Sequence, residues 1–286
     1  MTLPDLTMND VLRPDWRVSP RVHALVTTRN GGVSLPPFGT WRDGVDGPGG
    51  LNLGKKSGDD LAHVEENRAR VLRLTGLTGL DEAAWLSQVH GATVVNADDA
   101  LAAAKRGEPP VQADASVTGK TGTLCVVMIA DCMPVLLCDP QGRAVGAAHA
   151  GWRGLASGVV ENTAQRVASL AGTDMSALHA YLGPCIGPEA FEVGPDVRDA
   201  FMKAVGGAQR DEVANAFADH PVNAGKYLAD LPRLARLRLA QLGVTQVTGG
   251  DQCTFTRRDR FYSYRRDRET GRMAAMIWLA DDNGPL

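Results

Sequence analysis

The chain lacks a strong charge excess of either sign. Lys and Arg number 30 against 33 Asp and Glu, for a formal net charge of −3 and a pI near 6.1. That balance does not suggest the basic surface that nucleic-acid binding needs. The arginines gathered between Arg257 and Arg272 are interleaved with Asp259, Asp267 and Glu269, so the run reads as a solvated, self-neutralising surface. Long apolar runs are missing too: none approaches the ~20 residues that span a bilayer. The N-terminal MTLPDLTMNDVLRPDW lacks the basic-then-apolar order of a signal peptide, and a cytoplasmic location without membrane partners is the expectation. Five cysteines, spread from Cys125 to Cys253, make no disulfide framework, so reduced thiols are expected. No internal repeat and no heptad pattern stands out, which favours a monomer.

With 286 residues, 44% of them hydrophobic, the chain has ample material for a large core. Segment 30–54 is crowded with glycine and proline and reads as one long loop. Asp60–Leu74 carries a helical apolar stripe that Gly76 would stop. Leu124–Ala130, Val135–Cys138 and Ala144–Ala150 read as buried strands, with Pro134 breaking the first from the second and a turn at Asp139–Gly142. Leu155–Leu170 reads as one amphipathic helix ended by Gly172. Asp230–Leu242 reads as another, capped by Asp230 with Pro232 in its first turn. Val244–Val247 and Met273–Leu279 read as further strands. Strands and helices without strict alternation imply an α+β fold, and no linker divides the chain.

Three residues at strand ends stand out. His90 closes Ser87-Gln88-Val89-His90-Gly91, Cys132 follows the strand LCVVMIA, and His149 opens HAGWRG. Two histidines and a cysteine leave one position open on a tetrahedral zinc, the mark of a catalytic site. By spacing alone the signal is weak, because no CxxC or HExxH is present. A histidine at a strand end is more often a hydrogen-bonded structural residue, and a cysteine after an apolar strand more often core. Cys132 beside a histidine also fits a cysteine nucleophile with a lowered pKa.

The wording around these residues goes further. Thr27-Thr28-Arg29-Asn30-Gly31-Gly32-Val33-Ser34 is followed by Leu51-Asn52-Leu53-Gly54, Gly58-Asp59-Asp60, Gln88-Val89-His90 and Asp114-Ala115. Ala130-Asp131-Cys132-Met133-Pro134, His149-Ala150-Gly151-Trp152-Arg153-Gly154 and Gly183-Pro184-Cys185-Ile186-Gly187 come next, and Phe261–Asp267 and Thr270-Gly271-Arg272 close the series. In this order the motifs resemble the bacterial polyphenol-oxidase, or laccase-domain, family over about residues 25–280. The resemblance implies a single domain over 1–286, built of mixed β-sheets flanked by helices in a cysteine-hydrolase-like rather than Rossmann fold. It implies a zinc-dependent purine nucleoside phosphorylase, with adenosine deaminase and methylthioadenosine phosphorylase activity, whose ligands are His90, Cys132 and His149. Its partners would be a purine nucleoside and inorganic phosphate. The link Pro37–Gly50 is longer than the family's usual one and adds Asp43 and Asp46, and Leu51 stands in place of a common serine-leucine pairing.

Within that implied reaction, Arg29 and Arg153 are candidates to hold phosphate, since a guanidinium grips it bidentately. Asp131 could orient a ligand histidine or act as general acid–base. Asn52 could donate to phosphate or sugar, and the resemblance puts Cys185 near the pocket, with Tyr264 and Arg272 walling the base. Each has a plainer reading: a salt bridge, a strand end, a turn, a core thiol. The family's older label implies a copper laccase instead, and copper(II) competes for such donors. A multicopper oxidase, however, needs more imidazoles than the six histidines here supply. A non-catalytic metal-binding scaffold linked to the cell envelope is the third reading.

Overall fold

The structure is a computed structural model that describes residues 5–76, 83–203, 206 and 208–281. Two mixed sheets pack face to face, and helices cover their outer faces. The larger sheet has six strands, ordered Gln246–Gly249, His179–Leu182, Met133–Cys138, Val145–Ala150, Ala115–Thr118 and Val94–Asn96. Its four central strands run antiparallel to one another, and both edge strands pair in parallel. The smaller sheet has four, ordered Val22–Val26, Met273–Leu279, Leu124–Ile129 and Ala83–Ala84.

The continuous apolar runs follow from this layering. In Met133–Cys138, Val135 and Leu137 face the helical side while Leu136 and Cys138 face the other sheet. Side chains alternate across a strand, so one buried on both faces is apolar throughout. Helices Val159–Ala171 and Leu231–Gln241 cover the large sheet, and helix Leu61–Leu74 covers the small one. Asp60 caps that last helix by accepting from Ala62 N, and Asp230 caps Leu231–Gln241 by accepting from Arg233 N. Among the described residues no helix is long and apolar enough to cross a membrane.

Several sequence expectations shift. Leu155–Leu170 is two helices, Trp152–Ala156 and Val159–Ala171, because Gly158 adopts φ 91° between them. Segment 30–54 is not all loop. It holds strand Asn30–Ser34 and a hairpin, Thr40–Arg42 with Val45–Gly47, turned by Asp43 (φ 52°) and Gly44 (φ 82°). Two left-handed residues in succession give a hairpin turn that matches strand twist. Pro134 lies inside strand Met133–Cys138 rather than before it, and the strand expected at Val244–Val247 is Gln246–Gly249.

Candidate metal centre

Sheet register brings the three ligand candidates to one corner. Pro134 pairs with His149 and Met133 with Ala150, which places Cys132 beside Ala150 and Gly151. Ala115 pairs with Ala148 on the other flank, so Asp114 falls beside His149. The ligating atoms of His90, Cys132 and His149 lie within 4.8 Å of one another. The two imidazoles meet edge to face with centroids 4.9 Å apart. Among the described residues this is the one group of His, Cys, Asp and Glu with metal-site geometry.

Asp114 sets both histidines. Its fully buried carboxylate lies 2.9 Å from His149 Nδ1. A carboxylate only accepts, so the proton sits on Nδ1 and Nε2 is left for an ion. The same carboxylate accepts from Val89 N at 3.2 Å, His90 N at 2.9 Å and Gly91 N at 2.7 Å. Those three amides belong to the turn that carries His90, whose φ is 62°. Burial works to raise the Asp114 carboxyl, but the His149 ring and these amides hold it below its ordinary value. Gln88 adds a second anchor: its amide donates to Met128 O and accepts from Met128 N, at 2.8 and 2.7 Å. The His90 turn is thereby tied to the strand that leads to Cys132.

The surroundings of Cys132 favour its thiolate. Burial would raise the Cys132 pKa, but the His149 charge and hydrogen bonds with both imidazoles bring it down to about 6. Burial would lower His149, but the Cys132 thiolate and Asp114 push it up to about 9. Without an ion the corner is a thiolate–imidazolium pair, and ligation displaces the imidazolium proton. Gly151 is required by space: a Cβ there would lie 2.8 Å from Cys132 Sγ and 3.2 Å from His90 Cδ2.

The other expected residues divide between this corner and the scaffold. Asp131 makes no hydrogen bond to either candidate histidine; Asp114 bonds to His149. Asp131, at φ 97°, accepts from Thr254 Oγ1 and Arg265 N, both at 2.6 Å, and its carbonyl accepts from Ile186 N. Arg29 is 1% exposed and braces the long link, donating to Gly39 O and Arg258 O beside Asp46. Asn52 is fully buried, donates to Ser57 and Asp59, and accepts from Gly54 N and Arg272 N. Cys185 is a buried free thiol bridged through its backbone to Cys253, and burial drives its pKa well up. Arg153 is exposed and stacks over Trp152. Arg272 lies near Cys132, and Tyr264 lies beside Arg272. Tyr264 is half exposed with the Arg272 guanidinium 5.8 Å from its ring, and Arg272, lowered by burial, feels the charges of Cys132 and Asp131.

A family model described as multi-copper polyphenol oxidoreductase laccase matches residues 23–280. The chain belongs to this laccase family. A relative from Pseudomonas aeruginosa, named purine nucleoside phosphorylase, is 46% identical over 96% of this chain and 100% of its own length. The Escherichia coli relative named purine nucleoside phosphorylase YfiH is 47% identical over 95% and 100%. Among solved structures, a Neisseria meningitidis protein is 45% identical with TM-score 0.81, covering 95% of this chain and 100% of its own. YlmD from Geobacillus stearothermophilus is 29% identical with TM-score 0.83, covering 97% and 100%. The mixed α/β architecture described above is therefore that of this laccase family.

Proposed function

We propose that this laccase-family chain is a purine nucleoside phosphorylase. It would cleave adenosine, inosine, guanosine or methylthioadenosine with inorganic phosphate to free base and ribose-1-phosphate, and deaminate adenosine at the same centre. The observation that carries the reading is the His90–Cys132–His149 triangle beside Arg272 and Tyr264, in a chain whose 46–47% identical relatives bear the phosphorylase name.

Two neutral imidazoles and one thiolate suit zinc and leave one of its four positions open. A bound zinc ion would supply Lewis acidity and, for deamination, a hydroxide near neutral pH. The residues supply the rest. Asp114 keeps the His149 proton on Nδ1 and holds the His90 turn. Tyr264 offers an exposed ring face against which a purine can stack. Arg272, and Arg153 at the rim, supply positive charge to hold phosphate as its oxygen bonds to the anomeric carbon and the glycosidic C–N bond breaks.

The family model's description supports a second reading, copper-dependent phenol oxidation. A blue-copper site would want a nearby thioether, yet Met133 is fully buried in the core cluster with Val135 and Leu137. Incubation with adenosine, with and without phosphate, followed by chromatography separates the readings. Phosphate-dependent adenine, lost in His149→Ala, is the expected result, with inosine marking deamination. A zinc-loaded protein that yields neither product contradicts the proposal, and phenol oxidation by a copper-loaded one replaces it.

A further inference from the structure

Helix Leu61–Leu74 buries an arginine that no carboxylate neutralises. Arg68 is 8% exposed. Its Nε donates to Leu53 O at 2.9 Å, and its Nη2 lies 3.7 Å from Met128 Sδ. The guanidinium lies over the Trp85 ring at 3.7 Å. Nη1 has no hydrogen-bond partner among the described residues and is not sealed from solvent. Burial lowers the Arg68 pKa to about 10, against an opposing effect from Glu65. Arg29 is buried as deeply, but it lies beside Asp46 and donates to two carbonyls. An uncompensated buried cation is costly, and a protein retains one where an anion completes it.

The position of Arg68 identifies that anion. Leu53, whose carbonyl Arg68 grips, donates its own N–H to Arg272 O. Gly54, the next residue, packs against Arg272, where a Cβ would lie 2.8 Å from Arg272 Cγ. Met128, the other contact of Arg68, is the residue clamped by Gln88, two positions before His90. Arg68 and Arg272 thus flank one stretch of backbone between the helix and the metal corner. Trp85, Gln88 and Met128 are all only partly buried, so solvent reaches that side of Arg68.

We propose that Arg68, with Arg272 across the Leu53–Gly54 backbone, forms the subsite for the inorganic phosphate dianion, a role that rests on the phosphorolytic reading above. A planar guanidinium with Nη1 unpartnered and Nη2 held only by a thioether suits two phosphate oxygens at once. Trp85 holds the plane in place, so little side-chain freedom is lost on binding.

The test compares Arg68→Met and Arg68→Gln with the wild type, all metal-loaded. Gln retains a donor for Leu53 O and serves if Met impairs folding. The Michaelis constant for phosphate should rise about tenfold to a hundredfold, while that for the nucleoside changes far less. Inorganic phosphate without nucleoside should raise the Tm of the wild type by about 3 °C, and this rise should vanish in the variants. Basal Tm should be equal or higher once the unpaired charge is gone. A folded variant with wild-type metal content, an unchanged Michaelis constant for phosphate and an intact phosphate-induced Tm rise overturns the subsite. If the wild type releases no base with phosphate, the phosphorolytic reading falls instead, and the Tm rise still reports whether Arg68 holds the anion.

Discussion

The metal corner and the glycine-rich segment 30–54 are both irregular, but they are held together in opposite ways. At the corner, one carboxylate, Asp114, ties two distant stretches together by touching the His149 ring and three backbone amides of the His90 turn. In segment 30–54 the backbone is what is gripped: Arg29 takes Gly39 O, Tyr262 takes Phe38 O, and Asn67 takes Gly50 O and Asn52 O. The corner leaves ring nitrogens and a thiolate free to act. Of the segment's charged side chains, Asp46 is engaged by Arg29 and Arg258, while Arg42 and Asp43 sit exposed in the hairpin. A corner built to bind should therefore lose function before stability, and the braced segment should lose stability before function.

The largest effect that breaks this contrast is expected at Asp114. Asp114→Ala strands three part-buried amides and frees the His149 ring. Metal affinity or activity should fall about tenfold to a hundredfold, and stability by roughly 1–3 kcal/mol. Metal titration and chemical denaturation check the two parts separately. Gly151→Ala comes next. The new methyl would press on Cys132 Sγ at 2.8 Å, so metal affinity should weaken severalfold with little change in Tm.

The pH dependence of the metal-free protein sharpens the comparison. Cys132 is depressed from 9.0 to about 6, so its contribution to stability is fully present above pH 9 and is lost as pH falls through about 6. His149 is raised from 6.5 to about 9, so its contribution is fully present below pH 6.5 and is lost as pH rises through about 9. Together they favour a window between about 6 and 9. Alkylation of Cys132 in chelator-treated protein should rise with a midpoint near pH 6; a midpoint near 9 would show that the pair is not formed. The smallest effect on function is expected at Arg29. Arg29→Met should lower stability by about 1–3 kcal/mol and leave the Michaelis constant for phosphate within about twofold, placing Arg29 in the brace rather than in the pocket.

The sequence made some of this legible. Met273–Leu279 and Leu124–Ile129 lie where their apolar runs put them, since a strand buried on both faces has no other way to read. Asp60 and Asp230 cap the helices that their side chains announce. The three metal-ligand candidates came from motif wording, because residues 90, 132 and 149 share no local spacing. Nothing in the sequence marks Asp114 as the orienting carboxylate, for the same reason. It stood in a matching motif, but only the pairing of Ala115 with Ala148 reveals that it lies beside His149. Asp131 looked better placed in sequence, next to Cys132, yet its left-handed φ turns it toward Thr254 and Arg265. Arg68 was silent for a different reason. A helix rich in charge gives no hint which charge is buried until the helix is docked.

If a carboxylate-organised metal corner carries the nucleoside chemistry, metal content and turnover must move together. The most direct test counts metal per chain and phosphate-dependent adenine release in parallel for wild type, Asp114→Ala and His149→Ala. The two quantities should fall together, partly in Asp114→Ala and fully in His149→Ala. A His149→Ala protein that has lost its metal but still releases adenine at the wild-type rate would contradict it.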